Sequence, residues 1–323
     1  MRFSVWVRHQ KGRWRLCIKR QQLSFLYRLA LHLKAQRERV RGKPETFNRP
    51  DYNFKLVDHD GAVPTGDEQV AITTRQRGAP LDLIVAEAMI LANSTWGEWL
   101  KSLSVPAIYR SQASLLPGVK VRMGAKALPH AGIGVPSYAW STSPLRRYVD
   151  LVNQWQIIAA ARHGKTAALA APFKPKDAQL FAIISAFDAA YSAYNAHQGS
   201  MERFWTLHYL RQQGITELTA SLIKEQAGGA WLARADTLPL VFTVLGAQGL
   251  PRGTRVRVKL GAIDDIALDV GGTVLEVLDA DAPADTAPED EDETSAAGPI
   301  AIAVDVNEAE GEKEGGRADN PAP

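Results

Sequence analysis

Cysteine is nearly absent: Cys17 is the only one in 323 residues. One thiol can form neither an internal disulfide nor a zinc site, which fits a reducing compartment and leaves no disulfide partner to expect. Long apolar runs are lacking as well, so no stretch reaches the length that spans a bilayer. The opening Met1-Arg2-Phe3-Ser4-Val5-Trp6-Val7-Arg8 meets charge too soon for a signal peptide. Together these absences predict a cytoplasmic chain with no membrane partner. Acidic residues are also scarce before position 279, where 36 basic residues stand against 21 acidic ones, a net +15. The remaining 45 residues reverse the balance, with 14 acidic against two basic, a net −12. A basic body favours a polyanionic partner, and an acidic, weakly hydrophobic tail reads as disordered. The tail is either a screen against non-specific nucleic acid or a solubilising extension.

A length of 323 residues with 46% hydrophobic content allows two domains with ordinary cores. Residues 1–20, rich in Arg, Lys and Trp, follow neither a twofold nor a 3.6-residue period and remain unassigned. From Gln21 to Arg41, Leu23, Leu26, Ala30 and Leu33 recur at helical spacing until Gly42 and Pro44 stop the pattern. A β-hairpin is predicted from 51–57 and 69–74, with Asp58, His59 and Asp60 at its bend, where they are turn formers before they are metal ligands. Pro80 opens an apolar helix running to Asn93, in which Glu87 is conspicuous. A buried carboxylate needs a partner, so Glu87 either pairs with an arginine of the body or lines a site. His130, among glycines, is a hydrogen-bonding turn residue or a proton carrier. A long helix is predicted over 177–214; its Tyr191, Tyr194, Phe204, Trp205 and Tyr209 are core aromatics by default and stacking surfaces by alternative. Beyond Gly214 five short strands, 218–223, 240–244, 255–260, 266–270 and 272–277, fit a small barrel. Arg252, Arg255, Arg257 and Lys259 would make part of it basic.

The chain is read around Tyr138-Ala139-Trp140-Ser141-Thr142-Ser143-Pro144-Leu145-Arg146-Arg147-Tyr148-Val149-Asp150-Leu151. Ser143 suits an N-cap and Pro144 the first helical position, predicting a helix from Ser143 to about Gly164. Arg146 and Arg147 would then fall in its first turn, the end where the dipole already carries positive charge. That placement suggests an anion held by guanidinium forks and free N–H groups, as a phosphate would be. The alternative is a local pair such as Arg146 with Asp150.

Thr142-Ser143-Pro144-Leu145-Arg146-Arg147-Tyr148-x-Asp150-Leu151 resembles the signature of the RNB family, the ribonuclease II and ribonuclease R exoribonucleases. Ile84 to Asn93 is similar to the family's Glu-x-Met-Ile-x-Ala-Asn pattern, and His130-Ala131-Gly132-Ile133-Gly134 to its His-x-Gly-Leu lead-in to the signature. The resemblance runs from about residue 21 to 280. It implies processive 3′-to-5′ hydrolysis of single-stranded RNA to nucleoside 5′-monophosphates. Arg146 would be the catalytic residue, gripping a phosphate, and Glu87, Arg147, Tyr148 and Glu202 would bind substrate. It also implies Mg²⁺, since such hydrolysis uses two metal ions about 4 Å apart on a carboxylate cluster.

That cluster is not found. The family pattern Asp-Pro-x-x-x-x-x-Asp-Asp-Ala has no counterpart, and the one Asp-Asp pair, Asp264-Asp265, falls in the predicted barrel. No metal ligand is therefore assigned. The family's cold-shock-like barrels are missing too, and Gln154 and Trp155 replace the usual His-Arg past the signature. The expected fold is α+β: an unassigned extension (1–20), the C-terminal part of an RNB domain with helices packed on an incomplete mixed sheet (21–214), an OB-type barrel (215–279) and a disordered acidic tail (280–323). Exposed apolar surface should accompany an incomplete domain. The chain is expected to be a monomer if soluble. The alternative function is a truncated, inactive RNA-binding protein lacking the Mg²⁺ carboxylates.

Overall fold

The computed structural model describes residues 6–8, 14–16, 20–45, 51–57, 63–75, 79–116, 119–279 and 301–302. Cys17, the bend Asp58-His59-Asp60 and all of the acidic tail but Ala301 and Ile302 lie outside these. The chain forms two compact units, each discontinuous in sequence: residues 1–88 with 191–298, and 89–190 with 299–323. Among the described residues no helix is long and apolar enough to cross a membrane.

In the first unit, β1 (Trp6–Arg8) and β2 (Trp14–Leu16) pair antiparallel, so two short strands stand where the sequence had no readable period. Helix α1 (Arg20–Arg41) buries Ala30 and Arg37 on one face and leaves Leu26 largely exposed, so Leu26 does not belong to the face expected of it. Gly42 closes α1 at φ +79°, its N–H reaching the carbonyl of Glu38 at 2.9 Å, a left-handed ending that glycine adopts without strain. Strands β3 (Asp51–Leu56) and β4 (Val70–Arg75) form the predicted hairpin, with Phe54 opposite Ile72. Ile72 packs against the core of the barrel in the same unit, and the Val70 N–H donates to Gln212 Oε1 at 3.1 Å.

The barrel comprises β7 (Glu217–Glu225), β8 (Trp231–Ala235), β9 (Val241–Leu245), β10 (Arg255–Asp264) and β11 (Asp269–Asp279), closed in the order β10-β11-β9-β8-β7. Every neighbouring pair is antiparallel except β11 with β9, and β7 closes on β10, an OB-type topology. Five strands are present, as expected, but not the same five. Residues 266–268 turn into a single long strand, β11, and β8 was missed. Its Trp231, Ala233 and Ala235 point inward, but two of the three are small alanines and its outward positions include Leu232. The polar alternation that marks a strand is therefore weak there. Val256, Val258 and Leu260 of β10 alternate inward with Leu222, Leu240, Phe242 and Val244, each contributing about 1.5–3 kcal/mol when fully buried.

Helices α2 (Pro80–Ser102) and α5 (Ala178–Gln212) have parts in both units. α2 runs nine residues past Asn93, where the apolar pattern ended. The second unit also holds β5 (Tyr109–Ser111) and β6 (Arg122–Gly124), α3 (Tyr148–His163) and the short α4 (Ala167–Ala170). Ala301–Ile302 form β12, parallel to β6, giving a small mixed sheet β12-β6-β5. A core of Leu100, Val105, Ala107, Tyr109, Ala139, Ala159 and Ala160 joins the end of α2, the loop after it and α3. Exposed apolar side chains are present as expected, among them Phe25, Leu29 and Leu31 on α1 and Leu81 and Val85 on α2.

Candidate nucleic-acid interface

The signature segment does not fold as its cap residues predict. Pro144, Leu145 and Arg146 make a turn closed on the Ser143 carbonyl, which accepts from the N–H groups of Arg146 at 3.2 Å and Arg147 at 3.1 Å. Arg147 then adopts an extended conformation, φ −132° and ψ 115°, and α3 begins only at Tyr148. Ser143 is not the cap. Its N–H instead donates to Asp150 Oδ1 at 2.8 Å.

The extended backbone at Arg147 turns its side chain inward. Its guanidinium donates from Nε to Asp150 Oδ2 and from Nη2 to Oδ1, both at 2.8 Å, and both residues are buried. The local pair is thus Arg147 with Asp150, not Arg146 with Asp150. Arg147 Cζ also lies 3.9 Å from the Trp140 ring centroid and Arg110 Cζ lies 4.0 Å from it. Trp140 thus makes cation–π contacts with two guanidiniums. The anion that two arginines at a helix start require is therefore supplied in part from within the chain. Asp150, in the first turn of α3, sits where a carboxylate is favoured by the dipole. Arg147, which the resemblance implies as a substrate-binding residue, is thus buried in an ion pair. Arg146, by contrast, is exposed, as are Leu145 and Tyr148.

Four amides position the segment. Asn93 of α2 accepts from Ser141 N–H and Oγ, both at 3.0 Å, and donates to the Tyr138 hydroxyl at 3.2 Å. Asn153 of α3 accepts from Ile108 N–H at 2.8 Å and donates to the carbonyls of Ile108 at 2.8 Å and Trp140 at 2.7 Å. Gln154 donates to the Ser141 carbonyl at 2.7 Å, and Gln156 bridges the carbonyls of Pro106 and Phe173. Asn153 and Gln156 went unnoticed in the sequence. The signal available was three amides within four positions of a helix otherwise rich in Ala and Ile.

His130 is a turn residue. Its Nδ1 accepts from the Ile133 N–H at 3.2 Å, its ring meets Tyr138 edge to face, and it is buried. Burial, with the Arg110 charge nearby, pulls its pKa down to about 3, so the ring is neutral at ordinary pH.

In the first unit, Glu87 is fully buried and paired, as one of its two readings had it. Arg37 Nε donates to Glu87 Oε2 at 3.0 Å and Arg37 Nη2 to Glu87 Oε1, while Nη2 also reaches Glu45 Oε2 at 2.9 Å. Burial opposes the Arg37 charge, but the hydrogen bonds and charges of Glu87 and Glu45 outweigh it and raise its pKa. Glu202 is half-buried on α5 and accepts from Gln198 Nε2 at 2.9 Å. Next to it, Arg203 donates to the Val241 carbonyl at 2.7 Å, to the Leu268 carbonyl and to Asp269, tying α5 to the barrel. Arg255, Arg257 and Lys259 do line the outer face of β10, but Arg255 pairs with Asp236 at 2.8 Å and Arg257 with Glu276 at 2.7 Å. The barrel's basic character is correspondingly reduced.

Among the described residues no three of His, Cys, Asp or Glu come together as a metal site. The described carboxylates therefore do not fit the two-ion chemistry that the signature implies.

The RNB domain model matches residues 7–118 and 114–163. An uncharacterized ribonuclease of Synechocystis is 27% identical over 200 residues, covering 54% of this chain and 28% of that protein. A chloroplastic/mitochondrial ribonuclease II of Arabidopsis thaliana is 27% identical over 191 residues, covering 51% and 23%. The chain thus spans less than a third of the length of these relatives. Among solved structures, the Dss1 exoribonuclease of Candida glabrata superposes with a TM-score of 0.62 at 20% identity, covering 83% of this chain and 37% of that one. The RNase R of Mycoplasma genitalium, solved with double-stranded RNA, gives 0.55 at 16%, covering 78% and 50%. These two show a shared fold. The signature at Thr142–Leu151 lies inside the matched region, which assigns residues 7–163 to the RNB domain family.

Proposed function

We propose that this chain binds single-stranded RNA and serves in its 3′-to-5′ exoribonucleolytic hydrolysis, which releases nucleoside 5′-monophosphates. The observation that carries this reading is the signature segment itself, which buried amides hold so that Arg147 and Asp150 face inward while Arg146 and Tyr148 face solvent. An exposed guanidinium on a rigid support suits a phosphate oxygen. In this reading Arg146 grips a backbone phosphate, Tyr148 contacts a nucleotide, and Glu202 belongs to the substrate path. Arg147 and Glu87 act indirectly, as the buried halves of ion pairs that fix the scaffold. Mg²⁺ would supply the hydrolytic chemistry of such a reaction. The described residues offer no set of ligands for it, so no step through the metal is derived.

That same observation favours a second reading, RNA binding without cleavage. One experiment separates them. Purified protein is incubated with 5′-labelled single-stranded RNA and Mg²⁺, with and without chelator, and binding is measured on the same preparation. Laddering from the 3′ end that chelator abolishes supports the hydrolase. Binding without laddering supports the second reading, and absence of both removes the proposal.

A further inference from the structure

On the solvent side of α3, Tyr148, Trp155 and Arg162 recur every seven residues and so share one face, each step about 10 Å along the axis. The Tyr148 and Trp155 rings meet edge to face, with centroids 6.1 Å apart, yet they remain 48% and 37% exposed. Leu145, three residues before Tyr148, and Ile158, three residues after Trp155, are exposed as well. Arg146, in the turn just before α3, and Arg162, in its last turn, are both exposed. The only acidic residue of α3, Asp150, is buried against Arg147 and offers no repulsion.

We infer that this face is a stacking platform for nucleobases of single-stranded RNA, with Trp155 as its principal residue and Tyr148 beside it. It rests on the RNA reading above and extends it to a residue that departs from the family signature. An edge-to-face pair leaves the ring that supplies its edge uncovered by its partner, open for a base to lie flat upon it. Cations at both ends and no accessible carboxylate on the helix match the phosphates that accompany a stacked base. A solvent-exposed Tyr–Trp pair is otherwise a liability that charged or small residues would avoid.

The test is equilibrium binding of the full chain to a labelled oligouridylate and to an oligomer of equal length carrying abasic sites. Trp155→Leu keeps apolar bulk and removes the aromatic face; it should bind the oligouridylate about ten-fold more weakly, with an unchanged salt slope. Trp155→Phe should stay within about three-fold of wild type. On the abasic oligomer all three proteins should bind alike. Wild-type RNA binding that Trp155→Leu leaves untouched would overturn the platform while sparing the RNA reading. A wild-type chain that binds neither oligomer removes both. A dimer that Trp155→Leu dissolves, with RNA affinity unchanged, would assign the face to a second copy and overturn the inference.

Discussion

Two neighbouring arginines have opposite assignments in this chain, and single substitutions should separate them. Arg147 is buried and holds Asp150 with two hydrogen bonds of 2.8 Å. Its removal strands a buried carboxylate, so Arg147→Ala should lose about 3–5 kcal/mol of unfolding free energy in a denaturant titration. Arg146 is exposed, and Arg146→Ala should leave stability within about 0.5 kcal/mol of wild type. Its effect should fall on RNA affinity, with the salt slope reduced by about one. The reverse pattern would mean that the two side chains have been given each other's roles. His130 makes a further prediction at this scale. With a folded pKa near 3 and an unfolded value near 6.5, the unfolded state alone takes up the proton between those limits. Stability therefore falls as pH drops through that window, by up to about 1.4 kcal/mol per pH unit from this group. A His130→Gln variant should show a flatter stability profile between pH 6.5 and 4; an identical slope would mean that His130 is protonated in the fold.

At the level of elements, α3 works as a bracket for the signature segment. Asn153 alone satisfies one N–H and two carbonyls of two different strands of loop. Asn153→Ala leaves those buried groups unpaired and should cost at least about 2 kcal/mol, with weakened RNA binding following from the loosened segment. Urea unfolding of the variant measures the first effect; a loss below about 0.5 kcal/mol would show that the bracket is not a structural one. In the barrel, a Cβ on Gly272 would come within 2.4 Å of Val258 Cγ1 and 3.1 Å of the Phe242 ring. β11 passes over the core there with no room for a side chain, so Gly272→Ala forces apart two inward-facing residues of neighbouring strands. These contacts also explain what was readable from sequence. The extents of α1, α5 and the hairpin followed from periodicity, whereas α2 ran on past its apolar stretch. The start of α3 did not, since Ser143 and Pro144 have the chemistry of a cap. The carboxylate that decides the geometry, Asp150, lies seven residues further on and acts by reaching back. The same holds for Glu87, whose partner Arg37 is 50 residues away in sequence.

For the whole molecule, the family was legible because nine residues in an ordered ten-position segment carry it, whereas the division into units was not. The barrel shares a unit with α1 and the β3–β4 hairpin, whose Ile72 packs on the barrel core, a grouping that no linker composition announces. Charge is the property at this scale that the sequence does state outright, +15 up to residue 278 and −12 beyond it. On the RNA reading, a tail that screens the body would compete with RNA for the same basic charge, and screening by salt would govern that competition. Replacing Glu289, Asp290, Glu291, Asp292 and Glu293 by their amides removes five negative charges without shortening the chain. If the stretch competes with RNA, the variant should bind oligouridylate several-fold more tightly near 50 mM salt. At a Debye length of about 10 Å, near 0.1 M, that advantage should shrink, and by 0.5 M it should vanish as exposed charges cease to interact. The two titrations of log affinity against log salt should therefore converge with the variant's line the steeper. Parallel lines would assign the acidic run to solubility alone, because a solubilising extension changes neither the number of counterions released on binding nor their dependence on salt.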